Sequence, residues 1–286
     1  MIVMAEHAGF CFGVKRAVDG ITEALMRNPE VWTIGLPIHN PQEVARLEAM
    51  GLRVASDESE VPSGSVVMIR AHGEALDVVS RLKARGIKVE DMTCPFVKKA
   101  QDTAEKLSSE NYHVVLLGDR NHPEIKGILG HVVNENDAEV IAGENEAGGV
   151  RFHAKTALIS QTTQRQERLE RVAGILTGKA SELRVFNTIC KATAQRQEAV
   201  RELVRQHRLD GVVLIGGKSS ANTGKLRDIL EAEGVKVLWV EDECGIQANM
   251  EWFDGRKDIG IAAGASTPEW LIEKVKAALP EIVKQR

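Results

Sequence analysis

"DMTCPFVKKAQDTAEKL" (residues 91–107) sets a cysteine directly before a proline at the head of a helix-patterned run. Proline suits the first position of a helix, where its missing N–H would have no partner anyway. Cys94 therefore reads as the N-cap of a helix running from Pro95 to about Leu107. A thiol at the positive end of a helix dipole is biased toward the thiolate. Taken alone, the stretch leaves open whether Cys94 is a functional thiol or a buried structural cysteine.

The arrangement recurs. "GFCFGVKRAVDGITEAL" carries Cys11, and its C-F-G-V-K-R-A matches C-P-F-V-K-K-A as C-x-x-V-K-(K/R)-A. "TICKATAQRQEAVREL" puts Cys190 at the head of a third helical pattern. The spacing implies a repeated unit of roughly 90 residues. After each of these helices comes a strand-length apolar run ending in polar or small residues: "VWTIGLPIHNP", "YHVVLLGDRNHPE" and "DGVVLIGGKSSANT". Each is followed by a helical stretch ("PQEVARLEAMG", "EIKGILGHV", "GKLRDILEAEG") and a second strand ("LRVAS", "AEVIAG", "VKVLWVED"). A third strand then ends in "RAHGE", "SQTTQ" or "GASTPE", each before another helix. "IKVEDMTC" and "LRVFNTIC" close the first two units with a strand leading into the next cysteine. The third ends on the helical "TPEWLIEKVKAALPEIVKQ", and the N-terminal "MIVMAEHAGFC" has the missing form.

Alternating strands and helices imply parallel sheets covered by helices. The expected fold is α/β, with three similar parallel-sheet units in a pseudo-threefold trefoil around a central site. Residues 1–11 close the third unit, 12–94 form the first, 95–190 the second and 191–286 the third. Ligands of such sheets bind beyond the carboxyl ends of the strands, where the polar strand endings and three cysteines would converge. "AGENEAGGV" (142–150) and "ASDESEVPSG" (55–64) read as polar surface loops.

Composition narrows the function. The 286 residues are 43% hydrophobic and 27% charged, ordinary for a soluble globular chain. Aromatics at 4%, a single tyrosine and a net charge of −4 argue against nucleic-acid or membrane-surface binding. No apolar run reaches membrane-spanning length, and the N-terminus lacks a signal-peptide layout. The expected compartment is the cytoplasm, where a few cysteines are more often ligands or catalytic groups than disulfides.

Cys11, Cys94 and Cys190 are candidates for zinc or an iron–sulfur cluster, although no C-x-x-C pair is present. Three thiolates from three similar units suit a cubane cluster with one iron lacking a protein ligand, and such an iron is a Lewis acid. Cys244 in "VEDECGIQ" falls outside the pattern and reads as a spare thiol. His39, His72 and His122 stand at strand ends, and "GGKSSANT" and "GAST" add Ser220, Asn222 and Ser266. Imidazoles and hydroxyls around helix starts suit an anion; no Walker-type phosphate loop is present. Glu124, two residues after His122, is a possible proton donor or a residue that compensates a helix dipole. One of Thr162 and Thr163 is expected to cap the helix that follows them.

Nine stretches in order span essentially the whole chain: "GFCFGVKRA", "IHNP", "RAHGE", "TCPFVKKA", "NHPE", "SQTT", "TIC", "GGKSSANT" and "AGASTPEW". In this it resembles the 4-hydroxy-3-methylbut-2-enyl diphosphate reductases, the IspH/LytB family, which act last in the deoxyxylulose phosphate (MEP) route to isoprenoids. The resemblance implies one 4Fe-4S cluster held by Cys11, Cys94 and Cys190 with one open iron. It implies diphosphate binding by His39, His72, His122, Ser220, Asn222 and Ser266, proton delivery by Glu124, and orientation of the substrate alcohol by Thr162. Many members carry a second serine where this chain has Ala221, so only the backbone of Ala221 is expected to serve there. The implied reaction is reductive dehydroxylation to isopentenyl and dimethylallyl diphosphate. No flavin or nicotinamide motif is visible, so the electrons are expected from a ferredoxin or flavodoxin. The competing classes are a non-enzymatic iron–sulfur redox sensor, which needs the cysteines but not the histidines and hydroxyls, and a zinc-dependent phosphate-ester hydrolase.

Overall fold

The computed structural model describes residues 1–280. Strands and helices alternate along them as expected. The first stretch runs β1 (Ile2–Met4), α1 (Phe12–Arg27), β2 (Val31–Ile34), α2 (Pro41–Ala49), β3 (Leu52–Ala55), β4 (Val66–Ile69), α3 (Leu76–Ala84) and β5 (Lys88–Asp91). The second runs α4 (Pro95–Ser109), β6 (His113–Leu117), α5 (Pro123–Leu129), β7 (Ala138–Ile141), α6 (Glu144–Ala147), β8 (His153–Ser160), α7 (Gln166–Leu176) and β9 (Ala180–Phe186). The third runs α8 (Lys191–Gln206), β10 (Gly211–Ile215), α9 (Ala221–Ala232), β11 (Val237–Val240), α10 (Glu243–Gln247), β12 (Ile259–Ala263) and α11 (Glu269–Ala278).

The strands form three four-stranded sheets, parallel throughout: β3-β2-β4-β5, β7-β6-β8-β9 and β11-β10-β12-β1. The order is the same each time. The first strand of a unit lies between its second and third, and a closing strand flanks the third. β1 takes the closing place in the last sheet, with Ile2 opposite Ile259.

Central strands are apolar because helices cover both faces. All five residues of "HVVLL" in β6 and of "GVVLI" in β10 are buried. Alternation then divides each strand between two cores. Val213 and Ile215 pack with Ile246 and Ile272 of α10 and α11, while Val212 and Leu214 pack with Leu203 of α8 and Leu226 of α9. In the second sheet Val114 and Leu116 meet Ala104 of α4 and Ile125 of α5, and Val115 and Leu117 meet Leu169 of α7. β9, at a sheet edge, has no fully buried residue.

The described residues group into two compact units. One comprises Met1–Lys15, Ile38–Leu47 and the chain from Lys191, and contains the sheet β11-β10-β12-β1. The other comprises Arg16–Pro37 and Glu48–Cys190, and contains the other two sheets.

Three local expectations need correcting. The 142–150 stretch is not all loop: it holds α6, whose Ala147 is buried and whose Glu144 pairs with Arg171 at 2.6 Å. The 55–64 stretch contains a 3-10 turn, Glu58–Glu60, capped by Asp57 and followed by the buried Val61. The last helix, expected through residue 285, stops at Ala278, because Pro280 disfavours helical backbone at Leu279. The part of that expectation beyond residue 280 lies outside the described residues.

Candidate active site

The three cysteines share one local construction. Cys11, Cys94 and Cys190 each follow a closing strand (β1, β5, β9) and immediately precede a helix (α1, α4, α8). Their backbone N–H groups donate to the carbonyls of Ala265 (3.1 Å), Ala71 (3.0 Å) and Thr162 (3.0 Å). Each acceptor lies two residues past the end of the neighbouring third strand, β12, β4 or β8. Parallel pairing thus continues beyond the strands and carries each cysteine to the carboxyl end of its own sheet. None of the four cysteines is in a disulfide; these three are half-buried, whereas Cys244 is exposed on α10.

This donor set fits an iron–sulfur group. The ligating chemistry is thiolate, each sulfur sits where a helix N-terminus favours negative charge, and the Val14 N–H points at the Cys11 sulfur from 3.5 Å. The Cys94 side chain makes no cap hydrogen bond on its own helix.

The other site residues occupy two repeated positions. His39, His122 and Ser220 each stand five residues past the first strand of a unit (β2, β6, β10), just before a helix. His72, Thr163 and Ser266 each stand three residues past the third strand (β4, β8, β12).

In the unit containing Arg16–Pro37 and Glu48–Cys190, His122 caps α5: its Nδ1 accepts the Glu124 N–H at 3.2 Å. That bond requires a bare Nδ1, so a singly protonated His122 ring carries its proton on Nε2. The His72 and His122 rings meet edge to face, 5.5 Å apart. Glu124 is 2% exposed. Its carboxylate accepts the Thr162 N–H at 2.6 Å and the Thr162 hydroxyl at 2.8 Å. Burial pushes the Glu124 carboxyl up to about 7, against the two Thr162 bonds, which favour its charged form. Because Thr162 also accepts the Cys190 N–H, cysteine backbone, threonine and acid form one connected chain.

The expected cap role of Thr162 or Thr163 is overturned. α7 starts at Gln166 after Arg165, with no side-chain cap bond. Thr162 gives its hydroxyl to Glu124, and the buried Thr163 Oγ1 has no hydrogen-bond partner among the described residues.

In the other unit, Ser220 caps α9 by accepting the Thr223 N–H at 3.3 Å, so the helix begins three residues earlier than the "GKLRDILEAEG" reading. The Ser266 hydroxyl lies 3.5 Å from that of Ser220 and donates to the His39 carbonyl at 3.2 Å. Gly217 permits this closeness: a Cβ there would sit 2.3 Å from the His39 oxygen. Asn222 is 6% exposed, and neither its side-chain oxygen nor its nitrogen has a partner among the described residues. Ala221 is the first residue of α9. The sequence reading missed Asn40, whose Oδ1 accepts the Glu43 N–H at 2.9 Å and fixes the residue after His39. The Asn-Pro pair is its signal, an N-cap before a first-turn proline. Gln161 was also missed; its Oε1 holds the Asp119 N–H at 3.1 Å in the loop before His122.

Half-buried cysteines at helix starts, with a buried carboxyl of raised pKa beside one of them in the same unit, are residue types that redox enzymes use. The LytB protein family matches residues 2–280. The chain is 42% identical over 283 residues to the 4-hydroxy-3-methylbut-2-enyl diphosphate reductase of Aquifex aeolicus, covering 98% of this chain and 96% of that one. It is 40% identical to the enzyme of the same name from Helicobacter pylori, covering 98% and 99%. Among solved structures, one described as (E)-4-hydroxy-3-methyl-but-2-enyl diphosphate reductase, the terminal enzyme of the non-mevalonate pathway, matches with TM-score 0.72, 41% identity and coverage of 97% and 98%. The E-1-hydroxy-2-methyl-but-2-enyl-4-diphosphate reductase of Plasmodium falciparum shares the fold, with TM-score 0.91 at 23% identity. The chain belongs to the LytB family.

Proposed function

We infer that the protein is a 4-hydroxy-3-methylbut-2-enyl diphosphate reductase. It removes the substrate hydroxyl as water and yields isopentenyl and dimethylallyl diphosphate: one alcohol, two electrons and two protons give one alkene diphosphate and one water. The observation that carries this reading is the buried Glu124, poised near neutrality and joined through Thr162 to the Cys190 backbone. An electron-storing sensor has no use for a buried proton donor bonded beside a ligand cysteine.

In this proposal Cys11, Cys94 and Cys190 hold one 4Fe-4S cluster, with one iron free of protein ligands. When bound, the cluster supplies one-electron storage and Lewis acidity. The diphosphate is held by His39, His72, His122, Ser220, Asn222 and Ser266, with the Ala221 backbone in the first turn of α9. His122 is placed to donate from Nε2, because its Nδ1 already accepts the Glu124 N–H, and Asn222 brings its side-chain amide. Thr162 orients the substrate alcohol while keeping the Glu124 carboxyl in place. Glu124 protonates the oxygen as it leaves, so that water rather than hydroxide departs. The electrons come from a ferredoxin or flavodoxin, and the setting is the cytoplasm. Among the described residues no helix is long and apolar enough to cross a membrane.

The test is Glu124→Gln. The amide oxygen can still accept the Thr162 N–H, and the Thr162 hydroxyl can turn to accept from the amide. Anaerobic single-turnover reduction of the substrate with a pre-reduced cluster should slow by about 100- to 10,000-fold, with substrate affinity kept. Turnover within a few-fold of wild type would move the proton source to another group.

A further inference from the structure

Two arginines that the proposed reaction does not use bind the main chain just before two of the cysteines. Arg16, on the helix that Cys11 opens, donates from Nη1 to the Thr93 carbonyl at 3.0 Å and from Nη2 to the Asp91 carbonyl at 3.5 Å. Those residues form the segment that enters Cys94. One turn along α1, Gly20 makes room for the same segment: a Cβ there would lie 2.6 Å from the Met92 sulfur. Asp91 adds an internal tie by accepting the Thr93 N–H at 2.8 Å. Arg196, on the helix that follows Cys190, ties the segment entering Cys11 through one carbonyl and anchors itself on its own helix through another. It is 6% exposed and donates from Nη2 to the Gly9 carbonyl at 2.7 Å and from Nη1 to the Ala192 carbonyl at 3.0 Å. Gly9 turns the chain two residues before Cys11 with φ +94°, a conformation suited to glycine.

We propose that Arg16 and Arg196 are positioning residues of the metal site, each locking the main chain that enters a ligand cysteine, Cys94 and Cys11 respectively. A planar guanidinium can bridge two carbonyls in fixed geometry, which a lysine ammonium cannot reproduce. The arginines also bring positive charge to segments that end in thiolate ligands. Outer groups that orient ligands in this way typically govern metal retention by about 10- to 100-fold. The inference rests on the metal reading of the three cysteines.

The experiment uses the full chain, reconstituted anaerobically with ferrous iron and sulfide, as wild type, Arg16→Met, Arg196→Met, Arg16→Lys and Arg196→Lys. Iron release to a ferrous chelator, the electron paramagnetic resonance spectrum of the reduced protein and the thermal midpoint of the apoprotein are measured. The expected result is iron loss about tenfold faster in the methionine variants with an altered spectrum, intermediate rates in the lysine variants and an apoprotein midpoint close to wild type. Wild-type release and spectrum in the methionine variants overturn the inference. So does a fall in apoprotein midpoint with unaltered release and spectrum, which marks a merely structural role. Should a methionine variant fail to fold, the lysine variant decides by the same release rate and spectrum. A wild-type chain that retains neither iron nor sulfide instead refutes the metal reading itself.

Discussion

The buried Glu124, the proposed proton donor, carries a cost to the fold. Its carboxyl titrates at about 7 in the folded protein, against an ordinary value of 4.5. Between those values the folded chain holds a proton that the unfolded chain has released, so stability falls as pH rises from about 4.5 to 7 and levels off above. The loss is about 3 kcal/mol. If Glu124 is the proton donor proposed above, it must be protonated in turnover, and the rate should decline above about pH 7. Thr162→Val separates the two bonds that Thr162 makes. It removes the hydroxyl donor and keeps the backbone donor, and the hydroxyl bond is one of the influences lowering the Glu124 pKa. The alkaline limb of the rate profile should therefore move to higher pH in Thr162→Val and stay near wild type in Thr162→Ser. A limb that does not move in Thr162→Val would mean that another group sets it. The sequence pointed to Glu124 as a proton donor, but not to the bonds from Thr162 that hold it. "SQTT" before a helix looks like a cap, and only folding brings Thr162 to an acid 38 residues away.

At the scale of elements, the helix starts were the legible part. Cys-Pro and Asn-Pro mark first turns by backbone chemistry alone, and α4 begins at Pro95 and α2 at Pro41 as those pairs require. The start of α9 was less legible, because Ser220 caps it through a side-chain bond that the later glycine obscures. Two predictions belong here. Serine in place of Cys11, Cys94 or Cys190 should each abolish retention of iron and sulfide under anaerobic conditions, while Cys244→Ser keeps both; major cluster loss from Cys244→Ser alone would break the assignment. Asn222, buried in the first turn of α9 with no partner among the described residues for either polar atom, is costly to the ligand-free protein. Asn222→Leu should raise apoprotein stability by about 1 kcal/mol in urea unfolding and weaken binding of the diphosphate substrate. A variant that is less stable and binds normally would make Asn222 a structural residue.

For the whole molecule, the repeat shows through the sequence and the compact units do not. Three equal sheets follow from three equal strings of elements. The placement of Ile38–Leu47 with the C-terminal residues follows from pairs distant in sequence, such as Gln42 Nε2 to Asp242 Oδ2 at 2.8 Å and Trp270 Nε1 to Glu43 Oε2 at 2.9 Å. Periodicity carries no trace of such pairs.

The same organisation predicts what metal removal does. Small metal-dependent domains unfold without their ion because the ion replaces a core. Here the apolar cores are built from strand and helix side chains such as Val114, Leu116, Val213 and Ile261, and Cys11, Cys94 and Cys190 belong to none of those clusters. The cysteines lie past the strand ends, where their N–H bonds to Ala265, Ala71 and Thr162 need no metal. Anaerobic chelation should therefore leave the far-ultraviolet circular dichroism spectrum unchanged. It should lower the thermal midpoint, because a ligand that binds only the folded state is withdrawn. Hydrogen exchange should quicken first in the segments entering the cysteines, around Gly9, Asp91 to Thr93 and Asn187 to Ile189, and last in β6 and β10. Loss of the strand and helix signal on chelation would show that the cluster, and not these cores, holds the sheets together.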